Sequence, residues 1–574
     1  MKEKWTADFS SIEKSPFIIK TESSYNSYLS DNSLALCLKK PNFIAWVDAP
    51  DLDYRDQIIE ADFRLESFGS YAAAGLLFRL TGDTYYLALV SSKGYFRIDA
   101  VRDSSPHPII AWTEIAGFDG TKVNLKIIAY STELIFLVNG RWLGEASNDL
   151  ISSGQFGFAL ASYEAPPAEK ENENICRAWL DYFSVNARTK TVEENYRKWK
   201  NSADINAESR LRLAETFAVM GKASLALDQL SKAWTRREEA ARSVSATYTE
   251  IRTRKELLLA GRMALKLGQY REAEEFIDAL LEQGYDNNEG KEALNEKVRI
   301  LGELKKFAEL REFFLKHSDI LNKNSDMFAL VAQSHWEQND YASAAAAWDK
   351  AFKVDKENGV YAVNSANALE LLDKKEEALV RFLEAGKLFL RQDNQAELSA
   401  MVDKMIIIGE MNWEARALAG KWAFSTEDYD RAESELAVAE RLRRKLKPMP
   451  AADPAVPYLR GLISSLKRDY KSAVSFLAES VKIAPDYGLF RFKLAENTIY
   501  LNYGSYNPQF ADEMRIALDL MEDPGGQMAN YAGTLLFSFD DFKNASHFFE
   551  KAVSADPENI EYNTNLNKCL MKIL

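Results

Sequence analysis

The feature that most constrains this chain is a fixed spacing of small and bulky residues that recurs through its C-terminal two-thirds. Within residues 328–351, Ala332 lies twelve residues before Ala344, while Tyr341 and Trp348 lie three before and four after Ala344. Residues three, four and seven apart share one face of an α-helix. The stretch therefore predicts a helix, a short turn and a second helix.

The order of residue sizes has a packing reason. Two antiparallel helices approach closely only where one presents Ala or Gly and the other inserts an aromatic ring. A bulky side chain at Gly261 or Ala344 would overpack the helix pair, at a cost of about 1–3 kcal/mol. We therefore expect the small residues to lie buried where neighbouring helices touch.

The same frame recurs in six further places along the chain. Its members are Ala214, Phe217, Ala226 and Ala233; Gly261, Tyr270, Ala273 and Ile277; Ala366, Ala378, Phe382 and Ala385; Gly420, Tyr429, Ala432, Leu436 and Ala439; Gly461, Tyr470, Ala473, Leu477 and Pro485; and Gly533, Phe542, Ala545, Phe549, Ala552 and Pro557. This order resembles the tetratricopeptide repeat, a helical hairpin of about 34 residues. The resemblance implies stacked hairpins that share one core in a superhelical solenoid.

The N-terminal third has a different period. From about Lys4 to Arg188, apolar residues alternate with polar ones, and β-branched and aromatic residues lie between turn signals. This pattern is typical of an all-β domain. Asn139-Gly140 separates two short apolar runs and predicts a hairpin, because these residues accept the positive φ of a type I′ turn.

Four segments of this region resemble a known sandwich family. Residues 58–101, 136–145, 153–160 and 179–185 are similar to the concanavalin A-like lectin/glucanase domain, in its laminin-G-like or glycoside-hydrolase-16-like form. The resemblance implies an all-β jelly-roll sandwich. Members of that family mostly bind carbohydrate or act in extracellular adhesion, and some are glycosidases.

The expected chain is therefore multidomain, with an all-β sandwich followed by an all-α solenoid. A length of 574 residues exceeds what one core serves. We place the sandwich at 1–190, the first part of the solenoid at 191–446 and its second part at 458–574. Between them, 447–457 carries four prolines and cannot be helical throughout. The apolar last helix, 560–574, is expected to pack back on the last repeat, with docking to a partner as the alternative.

Charge and hydropathy narrow the partners and the compartment. The net charge of −14 disfavours nucleic acid and anionic lipid, since both need a positive field. No window approaches the ~20 apolar residues that span a bilayer, and residues 1–20 lack a signal-peptide core. This predicts a cytoplasmic protein, whereas a removed export signal would place it in the periplasm or at the cell surface. By analogy, a repeat-plus-lectin layout looks bacterial.

Reactive motifs are absent from the sequence, so we expect no enzyme, no cofactor and no metal site. The four histidines, His107, His317, His335 and His547, fall in separate segments, and no metalloprotease, nucleophile-elbow or phosphate-binding motif is present. The acidic loop 164–174 has no spaced calcium ligands. On the strand 60–66, Arg64 stands where the glycosidase resemblance would need its second catalytic carboxylate, so we favour a solvated charged face.

Three cysteines, Cys37, Cys176 and Cys569, do not make a disulfide framework. Cys37 and Cys176 would be neighbours if the first and last strands of the sandwich pair. A disulfide between them stays open, but we expect buried free thiols.

In tetratricopeptide proteins, the inner face of each first helix lines a groove for peptides or partner helices. The resemblance places Gln333, Trp336, Asn364, Asn367 and Lys421 on that face. The two asparagines are the most suggestive, because a carboxamide both donates to and accepts from a peptide backbone. The Lys-and-Asn clamp that some members use for carboxylate tails is not reproduced, and the alternative is that these are solvated residues.

On the sandwich, alternate residues of the central strands form a candidate glycan-binding face. Arg79, Tyr85, Tyr95 and Arg97, with Trp112, could stack on a sugar or hydrogen-bond to it. The alternative is that half of these aromatic residues belong to the core and the arginines are rim charges.

Three functions follow in decreasing order of support. The first is a non-catalytic scaffold that binds partner proteins through its repeats, with the sandwich as a second recognition module. The second is a carbohydrate-binding protein that recruits partners through its repeats. The third is a glycoside hydrolase.

Overall fold

The computed structural model describes residues 3–68, 71–118, 120, 122–163, 175–200, 207–241, 251–503 and 505–574. The chain divides into two compact units, Met1–Lys306 and Phe307–Leu574, called here the N-terminal and C-terminal units. The acidic loop 164–174 lies outside the described residues. The domain boundaries drawn from the sequence remain predictions.

The N-terminal unit begins as β-structure, as the alternating pattern predicted. Its described residues hold fourteen strands: β1 Lys4–Thr6, β2 Tyr25–Ser30, β3 Ser33–Leu38, β4 Phe43–Tyr54, β5 Gln57–Glu66, β6 Ala72–Thr81, β7 Thr84–Ser91, β8 Tyr95–Arg102, β9 Ser105–Glu114, β10 Val123–Tyr130, β11 Glu133–Val138, β12 Arg141–Ser147, β13 Gly154–Ser162 and β14 Cys176–Asn186. All of their pairings are antiparallel.

The strands form two sheets with an apolar core between them. One sheet has the order β12-β11-β10-β5-β14-β3-β2, with β1 paired to β14, and the other has the order β4-β13-β6-β7-β8-β9. Phe63 from the first sheet and Phe158 from the second meet in this core with ring centroids 5.8 Å apart. The predicted hairpin between β11 and β12 is confirmed, since Asn139 and Gly140 have φ values of 50° and 74°.

The cysteine expectation is confirmed as well. Strand β3 pairs with β14 and places Cys37 opposite Arg177, next to the pair that Leu38 makes with Cys176. All three cysteines are free and buried. Burial raises the pKa of Cys176 to about 12, so this thiol is unreactive at neutral pH.

Helices complete the N-terminal unit. Those within the described residues are α1 Thr189–Lys200, α2 Ala207–Val219, α3 Ala223–Ala241, α4 Arg254–Lys266, α5 Tyr270–Leu281 and α6 Asn288–Glu303. One apolar core joins the sheets to α2, because Ile110 and Trp142 of the sheets cluster with Leu213 and Phe217 of that helix. The sandwich and the first hairpin are therefore packed together.

The described part of the C-terminal unit is helical. Its helices are α7 Phe307–Lys316, α8 Ser318–Leu321, α9 Ser325–Trp336, α10 Tyr341–Val354, α11 Gly359–Leu371, α12 Lys375–Arg391, α13 Gln395–Ile408, α14 Trp413–Ser425, α15 Tyr429–Lys445, α16 Ala455–Leu466, α17 Tyr470–Ile483, α18 Gly488–Leu501, α19 Gln509–Asp519, α20 Gln527–Phe537, α21 Phe542–Ala555 and α22 Ile560–Ile573. Consecutive helices pair as the repeat frame predicted.

Small residues lie where paired helices touch. A Cβ atom on Gly420 would stand 2.6 Å from Cγ of Leu436, and one on Gly461 would stand 2.6 Å from Cγ of Leu477. The alanines of the frame on the second helices are buried. The packing interpretation of the repeat is therefore confirmed.

The turn within each hairpin has a regular conformation that the sequence pattern did not predict. Seven residues after each small position, one residue has a positive φ. These residues are Gly221, Gly268, Asn339, Asp373, Glu427, Arg468 and Asp540. In four hairpins an aspartate follows and caps the second helix, accepting a hydrogen bond from the backbone three residues on. The capping residues are Asp340, Asp428, Asp469 and Asp541.

Two expectations for the C-terminal unit have mixed outcomes. The proline-rich segment is not helical throughout, as predicted, because α15 ends at Lys445 and α16 begins only at Ala455. Whether it separates two parts of a solenoid remains a prediction. The last helix packs back on the last repeat, as expected, because Tyr562 and Cys569 are buried in one core cluster with Phe549. The residues at its very end stay outside this contact, since Met571 is 76% exposed.

Candidate functional site

The first helix of each hairpin in the C-terminal unit presents one side to solvent. A residue advances the chain by about 100° around a helix, so the position one after the small residue and the position three before it lie about 40° apart. We call the surface formed by these two positions the first-helix face. Its members are Gln333, Asn367, Lys421, Leu462, Thr498 and Thr534, and Ala329, Val363, Ala417, Tyr458, Leu494 and Asn530. In α18, which has no residue of the repeat frame, buried Asn497 stands at the position of the small residue. All except Ala417 are at least partly exposed.

Three of the residues predicted for the groove lie on this face. Gln333 is exposed and its amide donates to Glu337 Oε1 at 2.7 Å. Asn367 Oδ1 accepts a hydrogen bond from Lys404 Nζ at 2.7 Å. Lys421 forms an ion pair with Asp453. These side chains are held in place by neighbours before any partner arrives.

The other two predicted residues differ from each other. Asn364 lies two residues before the small position of α11 and is half-buried, and its carboxamide makes no side-chain hydrogen bond to the described part of the chain. It can therefore still donate and accept. Trp336 packs edge-on against Tyr341 and Trp348, at 5.2 Å and 5.5 Å between ring centroids. Its contacts are those of the hairpin core.

The first-helix face is nearly free of net charge. Lys421 is the one charged member among the twelve, and its partner Asp453 neutralises it. Lys404, which contacts Asn367, also pairs with Glu370. Carboxamides, hydroxyls and apolar side chains make up the rest, which suits hydrogen bonding to a neutral peptide backbone.

Hydrogen bonds between successive first helices were not predicted from the sequence. The Tyr361 hydroxyl donates to Asp326 Oδ1 at 2.8 Å. Asn565 Nδ2 donates to Asn530 Oδ1 at 3.0 Å. Both pairs are separated by 35 residues, and this recurrence of polar residues at the repeat length is the signal that could have revealed them.

The sandwich carries a second candidate site on the outer face of the six-stranded sheet. A cleft of about 400 Å³ opens there. It is lined by Asn42, Phe43, Ile44, Tyr85, Leu87, Arg97, Asp99, Val101, Ser104, Pro106, Ala161, Ser162 and Tyr163. Arg97 donates to both carboxylate oxygens of Asp99, whose side chain is only 4% exposed. Burial raises the pKa of Asp99, although the Arg97 guanidinium opposes that shift.

Aromatic rings surround this cleft. Burial raises the pKa of Tyr163 to about 12. Trp112 lies 5.7 Å from Tyr163 between ring centroids, and the Arg97 guanidinium lies 5.9 Å from the Trp112 ring. Tyr85 lines the cleft but is only 6% exposed. Tyr95 begins β8 on the same side as Arg97 but does not line the cleft.

The prediction that Arg79 belongs to this face is wrong. The pairing of β6 with β7 shifts register between Phe78 and Thr81, and Arg79 has a φ of 53°, which reverses the alternation of side chains. Its guanidinium is fully buried and donates to the carbonyl oxygens of Arg55, Ile151 and Ser131, each at 2.9 Å. Arg79 therefore ties three loops together.

On the opposite sheet, the charged strand β5 is paired throughout its exposed side. Arg64 donates to both oxygens of Asp181 at 2.9 Å. Asn124 donates to Glu60 at 3.1 Å and to Asp62 at 2.7 Å. Each charge has a partner in a neighbouring strand, which is the arrangement of a solvated face.

The described residues hold neither a metal-binding cluster nor a helix suited to a membrane. No group of three or more His, Cys, Asp or Glu side chains in that part of the chain is arranged to hold a metal ion. Among its helices, none has the length and apolar character that crossing a bilayer requires.

Comparison with known proteins supports the repeat assignment. A family model for the tetratricopeptide repeat matches residues 531–559. A TPR repeat-containing protein of Treponema pallidum (strain Nichols) is 27% identical over 558 residues, a match that covers 86% of this chain. The chain spans 65% of the length of that relative. Together with the hairpin geometry, these matches show that the chain carries tetratricopeptide repeats.

Several solved structures are similar to parts of the chain. YrrB, a TPR protein with an unusual peptide-binding site, is 19% identical and covers 38% of this chain and 98% of its own, with a TM-score of 0.25. MamA from Desulfovibrio magneticus RS-1 is 18% identical and covers 33% and 97%, with a TM-score of 0.28. The carbohydrate-binding module CBM66 from Bacillus subtilis is 16% identical and covers 25% and 91%, with a TM-score of 0.22. At these scores, none of the likenesses decides fold or function.

Proposed function

We propose that this protein is a non-catalytic scaffold that binds partner proteins or peptides through its tetratricopeptide repeats. The observation that carries the proposal is the first-helix face, whose neutral polar and apolar side chains reach solvent at the same two positions of successive hairpins. Because packed helices hold these side chains in place, little ordering cost remains when a partner binds. Asn367 on this face and Asn364 next to it on the same helix are the proposed contacts to a partner backbone.

A comparative pull-down tests the scaffold proposal. Full-length protein and its Asn364→Ala/Asn367→Ala variant are immobilised and exposed to native lysate, and the retained proteins are identified by mass spectrometry. The matched control is Asn322→Ala/Gln338→Ala, which removes two exposed carboxamides outside the face. We expect specific partners to be lost with the first variant and kept with the control. Equal retention by both variants would count against the proposal.

For the sandwich we propose a jelly-roll architecture of the concanavalin A-like type. Supporting it are two antiparallel sheets in which sequence-distant strands are neighbours, such as β5 and β14 in one sheet and β4 and β13 in the other. In the scaffold, this sandwich serves as a second recognition module. We place the protein in the cytoplasm, with the periplasm or cell surface as the alternative compartment.

A second candidate function is carbohydrate binding by the sandwich, and the cleft on the six-stranded sheet favours it. Aromatic rings beside a hydrogen-bonding ion pair suit a sugar, since the rings stack on its apolar face while Arg97 and Asp99 reach its hydroxyls. A glycan array with the full chain tests this. We expect Arg97→Ala to abolish binding and Arg102→Ala, at an exposed arginine of the same strand, to leave it unchanged. An array without binding would discard this candidate.

A further inference from the structure

An aromatic cluster adjoins the first-helix face where helices α16 and α18 are neighbours. The rings of Tyr458 on α16 and Phe490 on α18 lie 4.5 Å apart between centroids, and Tyr487 lies 4.4 Å from Phe490. Phe490 is only 7% exposed, whereas Tyr487 is 54% exposed. The cluster therefore packs against the protein through Phe490 and faces solvent through Tyr487.

The hydroxyl groups of this cluster are not used internally. Neither Tyr458 nor Tyr487 makes a side-chain hydrogen bond with any residue that the structure describes. Burial raises the pKa of Tyr458 to about 12, so its hydroxyl stays protonated and can donate. Aromatic rings that pack on a buried ring and carry hydroxyls free to bond are typical of anchor residues at interfaces.

Two charges of α18 next to the cluster, Lys493 and Glu496, neutralise each other. Lys493 Nζ lies 2.9 Å from Glu496 Oε2, and Glu496 also accepts from the hydroxyl of Tyr531. Glu496 is 6% exposed. A charged partner side chain placed here would lose its hydration without gaining an opposite charge.

We propose that the partner segment is uncharged and inserts one bulky apolar side chain against Tyr458, Tyr487 and Phe490, while the carboxamides further along the face take its backbone. This inference rests on the proposed function and specifies the chemistry of the partner. The neutrality of the face and the open aromatic cluster at α16 and α18 are its two supports.

A peptide selection on the full-length protein tests the inference. A displayed library of random twelve-residue peptides is the probe, and selected peptides are measured by fluorescence polarisation at about 50 mM and about 500 mM sodium chloride. We expect uncharged sequences that share one large apolar residue, with affinities that change by less than about twofold between the two salt concentrations. Acidic or basic peptides, or affinities that fall steeply with salt, would overturn it.

Variants locate the binding. Tyr458→Ala is expected to weaken the selected peptides by at least about tenfold, and Tyr458→Phe to weaken them less, because it keeps the ring. Tyr503→Ala, which removes a tyrosine that is 73% exposed outside the face, is the control and should leave affinity unchanged. Melting curves identify any variant that does not fold. If Tyr458→Phe folds and Tyr458→Ala does not, Tyr487→Ala replaces it.

The outcomes separate this inference from the scaffold proposal. Charged peptides that bind in a salt-dependent way and are lost in Asn364→Ala/Asn367→Ala would leave the scaffold standing and remove the inference. A library that yields no binder would remove the inference, and the pull-down would then decide the scaffold.

Discussion

At the scale of single residues, the fold depends on positions where only a small side chain fits. Gly420 contacts Leu436, and Gly461 contacts Leu477. In both pairs the leucine lies sixteen residues after the glycine. Because protein interiors are close-packed, a larger side chain at such a position strains the residues around it. The spacing of small and large residues in the sequence therefore marks where paired helices touch.

The first prediction concerns one of these contacts. Gly461→Val should lower the free energy of unfolding by about 1–3 kcal/mol, because the added carbons meet Leu477 at less than contact distance. Urea unfolding followed by circular dichroism measures this. Gly525→Ala is the control, since a Cβ there meets nothing closer than 3.9 Å. An unchanged midpoint for Gly461→Val would contradict the packing account.

The second prediction concerns the hairpin turns. Arg468 has a φ of 59°, a conformation that costs a residue with a Cβ roughly 1–2 kcal/mol. Arg468→Gly should therefore raise the midpoint of urea unfolding, by up to about 1 kcal/mol in stability once glycine's extra chain entropy is subtracted. Asn339→Gly should gain less, because asparagine tolerates this conformation. A loss of stability in Arg468→Gly would show that its side chain matters more than its backbone.

The third prediction is a pH dependence. Hydrogen bonds from the Ser472 side chain and backbone hold the pKa of Asp469 below its ordinary value of 3.8. The unfolded chain therefore takes up this proton first, so the contribution to stability is present above about pH 4 and is lost as the pH falls through the folded pKa. Asp469→Asn, which keeps an N-cap acceptor, should lose less stability than the wild type between pH 7 and pH 3.

Thermal midpoints at the two pH values measure this difference. Asp486→Asn is the control, because Asp486 is exposed and accepts no side-chain hydrogen bond from the described residues. If both variants kept the acid sensitivity of the wild type, the Asp469 cap would have no part in it.

At the scale of elements, the sandwich and the helices that follow it share a core. Phe217 of α2 is 3% exposed and clusters with sheet residues such as Ile110. Polar contacts cross the same interface: Thr113 and Thr216 hydroxyls are 2.8 Å apart, and Lys200 Nζ is 2.8 Å from Glu133 Oε2. The core thus continues past residue 190, where the sequence predicts a boundary.

The fourth prediction follows from this shared core. Phe217→Ala should destabilise the sandwich together with the helices, by about 3–5 kcal/mol, because it opens a cavity between them. Calorimetry of the full chain should show the transition that contains the sandwich moving to lower temperature. A fragment of residues 1–190 that melts cooperatively at the temperature of the full-length sandwich would contradict this account.

The elements also show what the sequence could predict. Helix pairing was predictable from residue size, because Gly and Ala at these fixed intervals fit few structures other than closely packed helix pairs. The β region was predictable from the alternation of apolar and polar residues, but the burial of Arg79 was not. A bulge reverses the alternation there, and no residue pattern in the sequence signals it. The left-handed residue of each hairpin turn could not be predicted, because no single residue type occupies the position. It is glycine at Gly268 but arginine at Arg468.

For the candidate sites, the sequence predicted where a side chain lies better than whether it is free to bind a partner. Asn364 and Asn367 share a helix, but Asn367 is engaged by Lys404, which comes from a helix far along the chain. The cluster of Tyr458 and Phe490 joins residues on different hairpins. Such contacts depend on how hairpins stack, and spacing within one hairpin does not contain that information.

At the scale of the whole molecule, the chain carries a net charge of −14, whereas the first-helix face is close to neutral. Most charged side chains lie instead on other surfaces. This contrast is the reason to assign recognition to the neutral face and to expect partners that are proteins or peptides.

Site-specific photo-crosslinking tests that assignment most directly. A photoreactive phenylalanine analogue is placed at Gln333 or Thr534, both exposed on the first-helix face, or at Val380, which is 51% exposed on the second helix α12. After exposure to native lysate and light, the account predicts the same partner adducts from Gln333 and Thr534 and none from Val380. Adducts that form only from Val380, or equally from all three positions, would contradict it.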